Sequence, residues 1–367
     1  MIRRKTAEQG RRLCLPTVAA NQAGWMEDQH AVTNGTRRPA GGKWLHFALV
    51  FAALALFFAW DEIIQIPRYK IGLLAAVTLY VCLLLLFILW LAPGFAVSRQ
   101  WLSRRVHGPA GACASVALFL LPYLIYSAGT GDFRWWSFAR LAAFAALPCG
   151  LFAGFPVRRA NRMNWQDALV LVWILTPVLF GKIGGIWNVP VNLDFLSRVY
   201  LTAVGSWSFL IFRGLNDSGY DFRFSRAILR DALVSLVCFS LIAIPLGFGL
   251  RFIAWNPHWR GARAFAFDYL SIFLFIALAE ELFFRGLLQN LLEGSLHSRA
   301  WAQAVASILF GLSHIRHAPA PNWRYVVLAT AAGWFYGWAY RKHRSLMASA
   351  TTHAAVDTMW RTWLTIH

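Results

Sequence analysis

The sequence is short of charge, and shortest of acid. Of its 367 residues only 14% are Asp, Glu, Lys or Arg, where a soluble domain carries about 25%. Long stretches such as 71–98 hold no charge at all. This excludes an ordinary water-soluble globule. The alternation of apolar and polar residues that marks barrel strands is also missing, which excludes a membrane β-barrel. The five cysteines (Cys14, Cys82, Cys113, Cys149, Cys238) form no CxxC pair. Four of them lie in apolar runs, where thiols act as small hydrophobes, so neither a disulfide framework nor a cysteine metal site is expected. There is no HExxH. No apolar core of signal-peptide type follows the first arginines, and no internal repeat is visible.

What the chain has is apolar sequence in span-length pieces. Crossing about 30 Å of hydrocarbon takes roughly 20 apolar residues, and the backbone must satisfy its own hydrogen bonds there, which requires helices. Such segments fall at 44–66, 71–95, 112–129, 136–155, 166–186, 195–213, 229–250, 265–287, 300–316, 323–341 and 345–364. The expected fold is therefore all-α: a polytopic transmembrane helical bundle of about 10–11 spans. Residues 1–43 are polar and basic (Arg3, Arg4, Lys5, Arg11, Arg12, Arg37, Arg38, Lys43) and read as a flexible cytoplasmic tail. Residues 44–215 form a front membrane region, and the polar stretch 214–228 leads into a back region, 216–367. Asp61 and Glu62, near the end of the first segment, read as an interfacial pair.

The net charge of +19 would point to nucleic acid in a soluble protein. Here the basic residues sit in short connections, which is the pattern of membrane topology, so no nucleic-acid partner is expected. With the tail inside, the cytoplasmic connections carry Arg99, Arg104 and Arg105, then Arg158, Arg159 and Arg162, then Arg223 and Arg226, then Arg341, Lys342 and Arg344. The opposite ones are poorer (Arg68, Lys70, Arg134, Lys182), although Arg251, Arg260 and Arg263 break the trend. The nineteen tryptophans suit interfacial belts. The expected location is the bacterial inner (plasma) membrane, with the N-terminus cytoplasmic and the lipid bilayer as constant partner.

Residues 264–292 concentrate the chemistry. Between Asp268 and Glu293 the charged residues are Glu280, Glu281 and Arg285, and two of the chain's six glutamates stand together there. An ionised group at mid-bilayer costs roughly 2.5–3.5 kcal/mol on insertion scales, so it is a functional candidate by default. Glu281 and Arg285 are i,i+4 and can pair. Glu280 lies about 100° around the helix from Glu281. Phe283 and Phe284 occupy the positions where a cationic partner for it would stand. A carboxylate without such a partner in apolar surroundings suits a general base. Two later segments supply imidazoles: His314 in Phe310-Gly-Leu-Ser-His314, and His353 with Asp357 at i,i+4 among small residues that admit close helix approach.

These three motifs, Glu280-Glu281-Leu-Phe-Phe-Arg285-Gly286, Phe310-Gly-Leu-Ser-His314 and His353-Ala-Ala-Val-Asp357, resemble those of the CAAX-protease and bacteriocin-processing (Abi) family, which includes the eukaryotic type II CAAX prenyl endopeptidase. Gly333-Trp-Phe-Tyr-Gly337 and the turn at Ser345-Leu346 resemble its Gly-rich span. The likeness covers about residues 229–365. It implies a glutamate-dependent intramembrane protease without cofactor, acting on a membrane-associated protein or peptide. By the same resemblance Glu280 would activate water and His314 would help hold it. His353 and Asp357 would polarise the scissile carbonyl or stabilise the oxyanion, and Glu281 and Arg285 would orient the site. Many members carry asparagine at the position of Asp357. An ionised aspartate cannot donate to an oxyanion, so Asp357 is either protonated or, the favoured reading, fixes the tautomer of His353. Two rivals remain: a zinc site built on the two histidines and a carboxylate, and a non-enzymatic scaffold, immunity factor or transporter that uses the same polar cluster. The preferred substrate sequence, prenylated or not, is not encoded in these motifs.

Overall fold

The computed structural model describes residues 40–157, 162–181, 184–190 and 193–366, without the side chains of 40–43, 61–66 and 366. The basic tail therefore lies outside the described residues up to residue 39, as do Arg158, Arg159, Lys182 and the side chains of Asp61 and Glu62. Twelve helices account for most of the rest: α1 (Ala40–Tyr69), α2 (Leu73–Leu91), α3 (Ala96–Arg105), α4 (Gly108–Thr130), α5 (Trp135–Gly154), α6 (Trp165–Leu179), α7 (Phe195–Phe212), α8 (Arg226–Gly249), α9 (Ala262–Leu296), α10 (Arg299–Leu312), α11 (Trp323–His343) and α12 (Leu346–Trp363). The two strands, β1 (Ile253–Trp255) and β2 (Leu364–Ile366), are three residues each and pair antiparallel, with Ala254 opposite Thr365.

Each of the eleven apolar segments contains a helix, although the one expected over 166–186 stops at Leu179, and the structure is an all-α membrane bundle. Among the described residues six helices (α2, α4, α5, α7, α8 and α9) have both the length and the hydropathy to cross a membrane. The remainder are shorter or more polar. α6 has 15 residues and α10 has 14, while α11 reaches 21 residues with Gly, Tyr and a basic last turn. Helices that face protein instead of lipid need not be apolar all round. The tenth and eleventh belong to that class because they surround the polar site.

α2 packs on α4 and α7, and α5 on α4 and α6; in the back region α11 packs on α8, α10 and α12, and α9 on α12. Aromatic rings join the two regions. Phe275 of α9 meets Phe58 at 5.5 Å, Phe87 at 6.2 Å and Phe195 at 5.1 Å between centroids. Such pairs contribute about 0.5–1.5 kcal/mol each beyond buried area. The polar stretch after α7 works as a strap. Tyr220 donates its hydroxyl to the Trp90 carbonyl (2.9 Å), Asn290 donates to Asn216 O (2.8 Å), and the Leu346 amide donates to Gly219 O (3.0 Å). Gly219 has φ +69°, and a Cβ there would stand 2.5 Å from the Arg344 carbonyl oxygen. Gly219→Ala is therefore expected to destabilise the protein by about 1–3 kcal/mol, read as a lower melting temperature in detergent. An unchanged melt would mean that the strap does not hold the two regions together.

α9 is not a uniform α-helix. Wide π-helical turns at Phe273–Ala277 and Leu282–Gln289 flank a short α segment, Leu278–Glu281. Turns of this kind occur often at functional sites. Here they re-aim the side chains on either side of Glu280 and Glu281.

Candidate active site

Glu281 is fully buried on α9 and makes two contacts. Its Oε1 accepts from Nδ1 of His353 on α12 at 2.9 Å. Its Oε2 lies 3.2 Å from Nε of Arg285, also fully buried, although neither atom forms an aligned hydrogen bond. Arg285 donates through Nη2 to the Gly333 carbonyl on α11 at 2.9 Å. Its guanidinium carbon stands over the ring of Phe310 at 4.7 Å and near that of Tyr336 at 5.6 Å. Cation–π contacts away from water contribute about 1–2 kcal/mol. A cation in a protein interior needs such compensation, because an unpaired buried charge costs far more.

The other nitrogen of His353 faces two carboxylates. Nε2 lies 3.5 Å from Asp357 Oδ2 and 4.0 Å from Glu280 Oε2. The His353 ring is itself buried, stacked on Tyr336 at 4.6 Å between centroids and edge-on to Phe310 at 5.7 Å. Glu280 and Asp357 differ from Glu281 in exposure: their side chains are 36% and 38% accessible, against none for Glu281. Yet Glu280 Oε2 is itself buried and has no hydrogen-bond partner among the described residues. Glu280 thus presents a carboxylate at the edge of a cavity with one oxygen held out of water.

His314 follows the end of α10. Its Nδ1 is 2.9 Å from the Phe310 carbonyl and 3.1 Å from Ser313 Oγ. A carbonyl only accepts, so Nδ1 carries the proton and Nε2 is left as an acceptor to which a water can donate. The position of His314 late in its apolar run has a simple cause: α10 stops at Leu312 and the imidazole hangs from the turn beyond it. Phe310 lies against both imidazoles, at 4.9 Å from His314 and 5.7 Å from His353. A cavity of about 1030 Å³ is lined by Glu280, His314, His353 and Asp357 together. All six residues singled out from the sequence therefore fall in one neighbourhood, four on the cavity and Glu281 and Arg285 behind it.

One expectation changes. Because an ionised aspartate cannot donate to an oxyanion, Asp357 was the favoured group to fix the His353 tautomer. The Nδ1 partner is instead Glu281, which reaches across from α9, and Asp357 faces Nε2. Helical spacing reveals contacts within one helix only. Two contributors stand in the sequence only as part of the Gly-rich span, with no role in the site: Tyr336, which stacks on His353, and Gly333, whose carbonyl holds Arg285. Both lie in the Gly-rich span, where the close approach of α11 was the available signal. Among the described residues no group of three or more His, Cys, Asp or Glu side chains is arranged to hold a metal ion.

No curated protein and no solved structure matches the chain. Residues 262–359, which include all six site residues, match the family model described as Rce1-like: type II CAAX prenyl endopeptidase Rce1-like. Over 262–359 the back region of this membrane protein is thus similar to the Rce1-like family of type II CAAX prenyl endopeptidases.

Proposed function

We propose that the chain is an intramembrane endopeptidase in which Glu280 activates water without a metal or other cofactor. The observation that carries this reading is the Glu280 carboxylate, with one oxygen buried and unpartnered among the described residues, facing the His353 imidazole edge across 4.0 Å at the cavity. Water held between Glu280 and Nε2 of His314 gives a proton to Glu280 as its oxygen adds to the scissile carbonyl carbon. His353, with Glu281 at one nitrogen and Asp357 and Glu280 at the other, acts as a doubly protonated donor to the oxyanion. The proton on Glu280 passes to the leaving nitrogen as the C–N bond breaks, giving a carboxylic acid and an amine. Arg285 and Glu281 are positioning residues, since they reach the reacting atoms only through His353.

The substrate in this reading is a membrane-associated protein or peptide, residues 216–367 are the catalytic part, and the N-terminus faces the cytoplasm of a bacterial inner membrane. Comparing the peptides of cells carrying the wild type with those of cells carrying Glu280→Ala tests it. New termini seen only with the wild type are expected. Function kept by Glu280→Ala with no such termini would favour a scaffold or transporter. Purified protein is also expected to keep its activity in excess chelator, whereas loss on chelation and recovery with zinc would replace the metal-free chemistry.

A further inference from the structure

α8 turns one face to the protein and the other to lipid. Asp231, Ala232, Ser235 and Phe239 are buried on the side that packs on α11 and α12, and Ser235 donates to the Phe335 carbonyl at 2.9 Å. A helix advances about 100° per residue, which sets Arg226, Arg230, Leu233, Val237 and Leu241 together on the opposite face. All five are exposed. Two arginines thus stand above an apolar stripe, at the end of the bundle that carries the strap and the α11–α12 turn. Arginines at a span end reach the headgroup layer, while the residues below them meet acyl chains.

Base is in surplus at this end. One buried carboxylate, Asp231, gathers three bases from two helices. Arg230 Nε lies at 3.2 Å and Lys342 Nζ at 3.0 Å from its Oδ1, and His343 Nε2 at 2.6 Å from its Oδ2. Because Arg230 and Lys342 meet the same oxygen, they stand side by side across the α8–α11 contact. Both side chains stay exposed on their outer side. Arg230 spends Nε on Asp231, which leaves the two Nη groups of its guanidinium to fork a further anion. Arg226, one turn earlier, makes no ion pair with a described residue, while Arg223 is taken by Asp221 at 3.0 Å. Lys342 sits over the Trp338 ring, 5.2 Å from its centroid, so a tryptophan lies at the level of the cations, as in an interfacial belt.

We infer that this end of α8 and α11 is a binding site for an anionic phospholipid. Its phosphate sits between Arg226, Arg230 and Lys342, and an acyl chain runs down Leu233, Val237 and Leu241. The stripe commits the site to a lipid over a soluble phosphate, which would make no use of apolar side chains one to three turns below the cations. A headgroup shared by Arg230 and Lys342 fastens the last turn of α11 to the first turn of α8, and a ligand that binds only the folded protein stabilises it. None of these residues lines the catalytic cavity, so the site holds whether or not the chain cleaves peptides.

The full chain in an uncharged detergent is titrated with phosphatidylglycerol, with phosphatidylcholine of the same acyl chains, and with glycerol 3-phosphate as the soluble headgroup. Bound lipid is counted by native mass spectrometry, and the melting temperature is followed in parallel. Phosphatidylglycerol is expected to bind and to raise the melting temperature, and the other two to do neither. Arg226→Gln, Arg230→Gln and Lys342→Gln are each expected to weaken its binding about fivefold, the scale of one cation beside anionic lipid. Arg226 takes no part in the Asp231 cluster, so its variant reports on the lipid even if the other two unsettle the fold. Arg104→Gln with Arg105→Gln removes two charges from α3, which Arg99 joins to the strap at the same end of the bundle, and is expected to leave the affinity as it was. Equal binding of the two lipids, or an equal loss in the α3 variant, would reduce the site to general attraction and overturn the inference. Glycerol 3-phosphate binding as tightly as the lipid would overturn it in favour of a soluble-anion site.

Discussion

Replacing Arg285 by methionine is expected to destabilise the protein by about 3–5 kcal/mol, because it strands the Glu281 carboxylate in the interior. Arg285 is fully buried between α9 and α11, held by Glu281, the Gly333 carbonyl and the Phe310 ring. The loss is read as a fall in the detergent melting temperature. Removing both charges, as in Glu281→Leu with Arg285→Met, is expected to recover part of that loss, since a buried ion pair replaced by apolar side chains of similar volume is often neutral or stabilising. Activity should not return with stability. His353 Nδ1 then has no acceptor, so the ring that faces Glu280 and Asp357 is no longer fixed. A double variant as active as the wild type would show that Glu281 only balances charge.

The second large effect is at Glu280. Glu280→Gln keeps size and most packing but removes the base. A positioned general base contributes typically 10²–10⁴-fold, so kcat is expected to fall by about that factor with the melting temperature little changed. The side chain is part exposed and makes no hydrogen bond through Oε2 to any described residue, so little effect on stability is expected. Glu281→Gln contrasts with it, because loss there combines stability and rate. Two adjacent glutamates thus have different signatures. A Glu280→Gln protein that melts far below the wild type would place Glu280 in the structural framework instead.

Much of this was legible in the sequence, for identifiable reasons. Scarcity of charge located the helices, because hydrocarbon leaves the backbone no other structure. The cost of ionised groups in apolar runs drew attention to Glu280, Glu281 and Arg285 before any fold was known. The i,i+4 rule found the Glu281–Arg285 contact. It also found the contact between Asp357 and His353 Nε2, but not the Nδ1 partner, Glu281, which comes from another helix. Nor does a 3.6-residue period reveal the wide turns at 273–277 and 282–289. The role of Tyr336 was hidden for a related reason: an aromatic in a Gly-rich helix reads as core until the imidazole stacked on it is seen. The front region offered no motif, and its share in the cavity wall, through α6 and α7, is a property of tertiary contact alone.

The most direct test is cleavage of a membrane peptide by purified protein in liposomes, with product termini identified by mass spectrometry. The wild type is expected to generate a new carboxyl terminus in the presence of excess chelator, and Glu280→Gln, folded to the same melting temperature, to generate about a hundredth or less of it. Equal cleavage by the two proteins would contradict the claim that Glu280 is the base that activates water.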